Sequence, residues 1–334
     1  MSIDGRTVLP EFAGLILGLL SLEGAPAAEP AALTLESKIS LGDVRGRIDH
    51  LAFDLPRQRL FVAELGNDSV GVVDVREGKT IKTLTHLAQP QGIGYVPSTD
   101  SLYVANARDG SVRIFQGADL APKGQIALGE DADNVRVDDA AHRVFVGYGS
   151  GALAVIDASN RRKIADIPLK AHPESFQLDP SSPLIFVNVP EAREIAVVDR
   201  GANRQIAGWS TGSMKANFPM AFDQTHQRVL AIFRHPAKMG VFGAPNGRLL
   251  SAVDTCGDSD DVYFDAKRNR VYVSCGEGFL EVFAVQDDTY ADLGRIPTAP
   301  GARTSLFVPG IDRLLLAIRA AGGEPAAIWV FRPQ

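Results

Sequence analysis

The sequence predicts an all-β protein, a seven-bladed β-propeller with four-stranded blades, and three observations lead to this fold class. A stretch near the start of the chain divides into four short strand-like runs. The same pattern then recurs at a nearly constant interval until the chain ends. An alternating segment ahead of the first copy offers the strand that the last copy lacks.

The first unit runs from Arg47 to Leu84 and contains four candidate strands. They read HLAFD, RLFVAE, SVGVVD and KTIKTL, and the turns PRQ, GND and REG separate them. Short runs of β-branched and aromatic residues between Gly, Pro, Asn and Asp are typical of strands joined by tight turns. Because one such unit cannot bury both of its faces, it needs neighbours.

The repeat is clearest when the copies are aligned on the residue that precedes each first strand. Successive markers are 41 to 44 residues apart. A period near 42 predicts a propeller with four strands per blade, because solenoid units are usually shorter or helical. The seven marker residues are Asp49, Gln91, Asp133, Glu174, Phe218, Asp260 and Arg303.

The two ends of the repeat region predict how the ring closes. The seventh copy stops at AIWVFRPQ, after its third strand. The segment LTLESKISL, Leu33 to Leu41, alternates as a strand does and has no partner in its own repeat. We expect it to be the outer strand of blade seven, because this pairing removes two open sheet edges.

Two of the repeats carry a family resemblance. The segments RLFVAELGNDSVGVVD and SLYVANARDGSVRIF resemble the YVTN-repeat (YncE-like) family of bacterial β-propellers, and YVAN stands where the family has its characteristic tetrad. The resemblance extends from Leu33 to the C-terminus. It implies a propeller with a non-catalytic periplasmic binding or interaction role, although propellers also host lyases, lactonases and oxidoreductases.

Residues 1–27 are predicted to be a signal peptide, and residues 28–334 a single propeller. The apolar run FAGLILGLLSL is too short to span a bilayer, and Ala25, Pro26 and Ala27 after it supply the small residues of a cleavage site. We therefore expect a periplasmic or secreted protein. The alternative is a disordered tail or a misassigned start codon, because Arg6 is the only basic residue ahead of the run.

Composition limits the classes of partner. The chain has 334 residues, of which 45% are hydrophobic, and a net charge of −6. No basic stripe with interleaved aromatic residues occurs, so a nucleic acid is not an expected partner. No apolar stretch beyond residue 30 is long enough to cross a membrane, and we expect a monomer without stable membrane insertion.

Both cysteines fall in the sixth repeat. Cys256 lies in the loop before the blade and Cys275 at the end of its second strand, two places that a propeller puts on the same face. An exported chain with two such cysteines permits a disulfide, which requires Cα atoms within about 7 Å. Two independent buried thiols are the alternative.

The markers predict a functional site at the mouth of the central channel, on the face where the first strands begin (the top face). The metal ligands that we predict there are Asp49, Asp133, Glu174 and Asp260, because oxygen ligands suit Ca²⁺ or Mg²⁺. Arg303, Arg47, Lys170 or Lys215 could neutralise them instead. As an alternative, the acids only form turns, as Asp54 and its counterparts do on the opposite face. The predicted ligand-binding residues are Arg47, His50, Glu64, Gln91, Asn106, Tyr148 and Arg303.

Two functions from different classes remain open. The first is an exported module that binds a small molecule or a protein at the channel mouth. On the long top-face excursions of blades five and seven, an anionic ligand could also meet Arg234, His235, Lys238 and Arg319. The second is a divalent-metal-dependent hydrolase or lactonase similar to the gluconolactonase and regucalcin propellers, although their own motifs are not recognisable here. No nucleophile elbow, HExxH motif or phosphate-binding loop is present.

Overall fold

The computed structural model describes residues 1–5, 7 and 31–334. The predicted signal peptide, residues 1–27, therefore lies outside the described residues except at positions 1–5 and 7. Ala31–Gln334 form one compact unit. No helix in the described ranges has the length and apolar character needed to cross a membrane.

The strands follow the predicted repeat, and the first of them, β1 (Leu33–Gly42), precedes the first blade. Blade one contains β2 (Leu51–Asp54), β3 (Arg59–Glu64), β4 (Ser69–Asp74) and β5 (Lys79–Leu84). Blade two contains β6 (Pro90–Val96), β7 (Ser101–Asn106), β8 (Ser111–Gln116) and β9 (Ala121–Ala127). Blade three contains β10 (Ala132–Asp138), β11 (Arg143–Tyr148), β12 (Ala152–Asp157) and β13 (Arg162–Pro168).

The remaining blades repeat the arrangement. Blade four contains β14 (Phe176–Leu178), β15 (Leu184–Val189), β16 (Glu194–Asp199) and β17 (Arg204–Ser210). Blade five contains β18 (Lys215–Asp223), β19 (Arg228–His235), β20 (Ala237–Gly243) and β21 (Leu249–Asp254). Blade six contains β22 (Ser259–Asp265), β23 (Arg270–Cys275), β24 (Phe279–Gln286) and β25 (Thr289–Pro297). Blade seven adds β26 (Ser305–Val308), β27 (Arg313–Ile318) and β28 (Ala326–Pro333), and the short 3-10 helices are Leu65–Asn67, Pro97–Thr99 and Pro309–Ile311.

Each blade is an antiparallel sheet of four strands, and in the first six blades every strand pairs with the next one along the chain. The second strands are buried on both faces; in RLFVAE only Arg59 is partly exposed. They need apolar residues at consecutive positions because every blade packs between two others. Outer strands such as KTIKTL are mostly exposed. The predicted fold class is therefore confirmed.

Blade seven closes as the alternating N-terminal segment predicts. Its sheet order is β1-β28-β27-β26, so the first strand of the chain lies outside the last one. Leu33 pairs with Pro333, and Ile39 pairs with Ile328. Leu33, Ile39 and Leu41 are buried. The strand extends one residue beyond the predicted end, to Gly42.

The hydrophobic core consists of seven apolar clusters, one at each interface between neighbouring blades. The cluster between blades seven and one joins Ile39 and Leu60 to Leu315 and Ile328. Because the core lies between the blades, the central channel is free to be lined by polar side chains.

The acids that follow the first strands form turns, as the sequence suggests. Oδ1 of Asp54 accepts a hydrogen bond from the backbone N–H of Arg57, three residues later. Asp138 and Asp223 accept equivalent bonds from Ala141 and His226. These aspartates lie at the end of the first strand opposite to the markers, and local turn geometry accounts for them.

The predicted disulfide is present between Cys256 and Cys275. Their Cα atoms are 5.8 Å apart, and both residues are buried. The bridge ties the loop after β21 to the end of β23, on the top face of blade six. A closed loop of this length stabilises a fold by roughly 3 kcal/mol when its geometry is relaxed.

Candidate functional site

The first strands of the blades lead into one polar cavity at the top of the channel, here called the mouth. Its volume is about 250 Å³. All seven marker residues line it, so the structure brings together side chains that lie more than 250 positions apart in the chain. The other lining residues are Arg47, His50, Asp131, Asn134, His172, Ser175 and Arg234.

Three residues that the sequence assigned to ligand binding do not line this cavity. Glu64 is buried inside blade one, where its carboxylate accepts a hydrogen bond of 2.5 Å from Ser69. The Asn106 side chain donates to the backbone carbonyl of Val104 at 3.1 Å. Tyr148 donates to Asp166 at 2.8 Å. The side chains therefore make contacts within their own blades.

Three arginines neutralise acids on one side of the mouth. Nη2 of Arg47 lies 2.8 Å from Oδ2 of Asp49. Arg303 contacts Asp260 and Asp258, each at 2.6 Å. Arg234, which belongs to the neighbouring blade, donates a hydrogen bond of 2.9 Å to Asp260. Of the neutralising cations predicted from the sequence, Arg47 and Arg303 fill that role, whereas Lys170 pairs with Glu194 at 2.5 Å.

A histidine and an aspartate face each other on the other side. Nδ1 of His172 lies 2.6 Å from the carbonyl oxygen of Gly149, and Nε2 lies 4.0 Å from Asp133. The Asp133 carboxylate raises the pKa of His172 to about 9. Burial opposes ionisation of Asp133, but His172 and His50 hold its pKa below the usual value. Both side chains are therefore charged at neutral pH.

Two other acids of the mouth hold their protons much more tightly than usual. Burial raises the pKa of Asp49 to about 8, although the Arg47 guanidinium acts in the opposite direction. Burial and the nearby Asp133 carboxylate raise the pKa of Glu174 to about 8. Both carboxyl groups therefore resist ionisation more than an exposed acid does. Ionisation of Asp49 is disfavoured even beside the Arg47 guanidinium.

Several polar atoms of the mouth are buried without a partner. Oδ1 of Asp133 and Nε of Arg234 have no hydrogen-bond partner among the described residues. A buried polar atom without a partner costs roughly 1–3 kcal/mol, so such atoms are rare unless water or a ligand satisfies them. The mouth is therefore better suited to binding a polar group than to staying empty.

The four predicted metal ligands share the cavity but do not form a compact cage. In the described part of the chain, one group of three His, Cys, Asp or Glu residues has its ligand atoms within 4.8 Å of one another. That group is Cys256, Cys275 and Glu281, and none of the four predicted ligands belongs to it. The two sulphur atoms of that set are bonded to each other. A metal at the mouth would also have to displace the protons of Asp49 and Glu174, because carboxylates bind metals in their ionised form.

Sequence reasoning placed Arg234 on the top face but gave it no part in the ring, and it assigned no role to His172, Asp131 or Asp258. Arg234 reaches the mouth because β19 extends to His235 and is therefore longer than the other second strands. His235 itself is exposed, and Lys238 pairs with Asp254 at 2.5 Å. The longer strand pattern of the fifth repeat was the sequence feature from which the position of Arg234 at the mouth could have been predicted.

No family model matches the chain, and no curated protein matches it in sequence. Solved structures of similar fold include a chain of the crystal structure of the mitotic checkpoint complex, with a TM-score of 0.77 and 13% identity over 98% of this chain and 99% of that chain. A chain of Kuenenia stuttgartiensis hydrazine synthase has a TM-score of 0.73 and 15% identity over 87% and 96%. The RRP9 WD40 repeats have a TM-score of 0.75 and 9% identity over 89% and 99%. At these identities the likeness concerns the fold alone, and that fold is the seven-bladed β-propeller.

Proposed function

We propose that this protein is a ligand-binding β-propeller whose mouth takes a small organic anion. The observation that carries the proposal is geometric: the guanidinium groups of Arg47, Arg234 and Arg303 all face this one cavity. Burial raises the pKa of Asp49 beside Arg47, which weakens the opposing charge. Arg234 adds a buried Nε atom without a partner. The protonated carboxyl of Glu174 can donate a hydrogen bond to the same anion.

The mouth is also suited to a protein partner that presents an anionic group. β-Propellers commonly serve as protein-interaction scaffolds. An Asp or Glu side chain, or a C-terminal carboxylate, offers the same oxygen atoms to a guanidinium as a small acid does. The small anion is the simpler ligand to test, and it probes the same contact.

The second candidate is a hydrolase or lactonase that depends on Ca²⁺ or Mg²⁺. The observation in its favour is that Asp49, Asp133, Glu174 and Asp260 all face one cavity and that Oδ1 of Asp133 is unpartnered. When bound, such an ion would supply an activated water molecule. Asp133 is the acid best suited to bind the metal ion, because the nearby histidines favour the ionised form of its carboxyl group.

One set of thermal melts separates the two candidates. We expect succinate to raise the midpoint by several degrees, because a ligand that binds only the folded state at about 100 times its Kd adds roughly 2.7 kcal/mol. Arg47→Gln should abolish this increase, whereas Arg45→Gln, which removes the same charge outside the mouth, should not.

The same melts with Ca²⁺, Mg²⁺ and a chelator test the metal-dependent alternative. A midpoint that rises with either ion, falls with the chelator and no longer responds in Asp133→Asn would support it. Equal midpoints with succinate and with chloride at the same ionic strength would contradict the binding proposal.

We further propose that the protein is an exported, monomeric relative of the YVTN-repeat propellers. The apolar run before Ala25 and the YVAN-type second strands support this proposal, and the disulfide suits an oxidising compartment. We expect mass spectrometry of protein from the native host to give an N-terminus near Ala28. An intact Met1 on protein from the cytosol would contradict export.

A further inference from the structure

A second cavity lies along the channel below the mouth, and we call it the inner chamber. Its volume is about 340 Å³, within the size range of small-ligand sites. It is lined by the residue three positions after each marker, and in three blades that residue is small enough to leave open space. The seven residues are Ala52, Gly94, Arg136, Gln177, Ala221, Tyr263 and Leu306.

Arg136 is the cation of this chamber. Its guanidinium donates to the carbonyl oxygen of Val135 at 2.9 Å and to Oγ of Ser175 at 3.1 Å, which leaves further N–H groups free. Within the described part of the chain, no carboxylate oxygen lies within 4.0 Å of it. Burial lowers the pKa of Arg136, which shows how poorly its charge is solvated.

The nearest acid of the chamber is already engaged elsewhere. Oδ2 of Asp261 accepts a hydrogen bond from the backbone N–H of Ser305 at 2.9 Å, and Oδ1 lies 3.3 Å from the Tyr263 hydroxyl. Burial raises the pKa of Asp261 to about 7, so its charge is only partly developed at neutral pH. Asp261 and Asp133 both act on the charge of Arg136, but neither forms an ion pair with it.

Aromatic side chains form part of the lining of the chamber. Phe53, Tyr95, Phe222 and Phe264 line the chamber, and each of them is only partly buried. They come from four blades at the same position, four residues after the marker. A guanidinium without a direct ion pair and several partly exposed rings in one cavity are suited to a ligand with one oxyanion and one apolar body.

We propose that the inner chamber is a second binding site, separate from the mouth, and that it takes a small aromatic or branched carboxylate. The carboxylate accepts hydrogen bonds from Arg136, and the apolar body packs on the aromatic walls. The alternative is that Arg136 only ties blade three to blade four through Ser175.

Benzoate is the probe, with chloride and acetate for comparison, and calorimetric titration of the full chain is the measurement. We expect benzoate to bind more tightly than acetate, because acetate lacks the ring. Loss of a charge-assisted contact in Arg136→Gln should weaken benzoate binding roughly ten- to hundredfold. Arg136→Lys keeps the charge but loses the planar fork, and we expect an intermediate affinity.

Arg45→Gln is the matched control, because it removes a guanidinium that lines neither the mouth nor the chamber. Benzoate binding should be unchanged in this variant, and a thermal melt of each variant confirms that it is folded. The proposal is overturned if the unmodified protein does not bind benzoate, if Arg136→Gln binds it equally well, or if Arg45→Gln loses binding to the same extent. A failure of succinate to bind at the mouth would leave this result unaffected.

Discussion

Deletion of Leu33–Gly42 from the full chain is expected to abolish cooperative folding. The strand buries Leu33, Ile39 and Leu41, and each such side chain contributes about 1.5–3 kcal/mol. Their sum is comparable to the whole stability of a typical domain, about 5–15 kcal/mol. The deletion also exposes the edge of β28, an eight-residue strand that can then pair with another chain. Circular dichroism melts and size-exclusion chromatography measure both effects.

A pair of point variants tests the same closure without shortening the chain. Ile39→Asp places a charge in the cluster between blades seven and one and should cost more than about 4 kcal/mol, because a buried unpaired charge is poorly tolerated. Ser37→Asp introduces the same residue at an exposed position of the same strand and should cost less than about 1 kcal/mol. Similar melting midpoints for the two variants would show that β1 contributes little to the ring.

The fold could be predicted because it depends on local sequence patterns that recur in seven repeats. Any single repeat is an ordinary set of short strands. Because the repeats follow one another at a constant interval, a given position of each repeat must occupy the same place in its blade. That argument located the markers in one ring and gave β1 its partner. It also placed Cys256 and Cys275 on one face, where their Cα atoms lie 5.8 Å apart.

The site could be predicted only as a location. Alignment of the repeats shows where Asp260 begins its strand, but not that Arg234 reaches it from the preceding blade at 2.9 Å. Side-chain partners across a blade boundary depend on strand length and rotamer, which the repeat pattern does not encode. Glu64 illustrates the opposite case, since its position suggested an outer ring while its carboxylate bonds to Ser69 inside the blade.

The ionisation of the ring is a property of burial and could not be derived from its acidic composition. Four carboxylates at a channel mouth suggest strong negative charge and hence a cation. In the folded protein, burial raises the pKa of Asp49 and of Glu174 to about 8, and Arg234 and Arg303 contact Asp260. A weakly ionised ring in contact with arginines favours an anion, whereas a fully ionised ring favours a cation. The pH dependence of the protein's stability distinguishes these two descriptions.

Between pH 5 and pH 9 the protein is expected to lose stability, and Asp49 should account for much of the loss. The unfolded side chain has its usual pKa of 3.8, whereas the folded one has a pKa of about 8. The folded state therefore binds the proton more tightly, so its advantage is complete below pH 3.8 and disappears as the pH rises through 8. Each pKa unit corresponds to about 1.4 kcal/mol, so the loss amounts to several kcal/mol. His172, with a raised pKa of about 9, acts in the same direction.

Asp49→Asn isolates this contribution because the amide keeps the shape of the side chain and does not titrate. We expect the variant to unfold at a slightly higher urea concentration than the unmodified protein at pH 5, since that pH lies little above 3.8, and at a much higher one at pH 9. Asp43→Asn, at an exposed position near the start of the same blade, should change neither value. If the difference between Asp49→Asn and the unmodified protein were the same at both pH values, Asp49 would be ionised throughout. Arg47 would then have a full counter-charge, and the proposal of an anion at the mouth would depend on Arg234 and Arg303 alone.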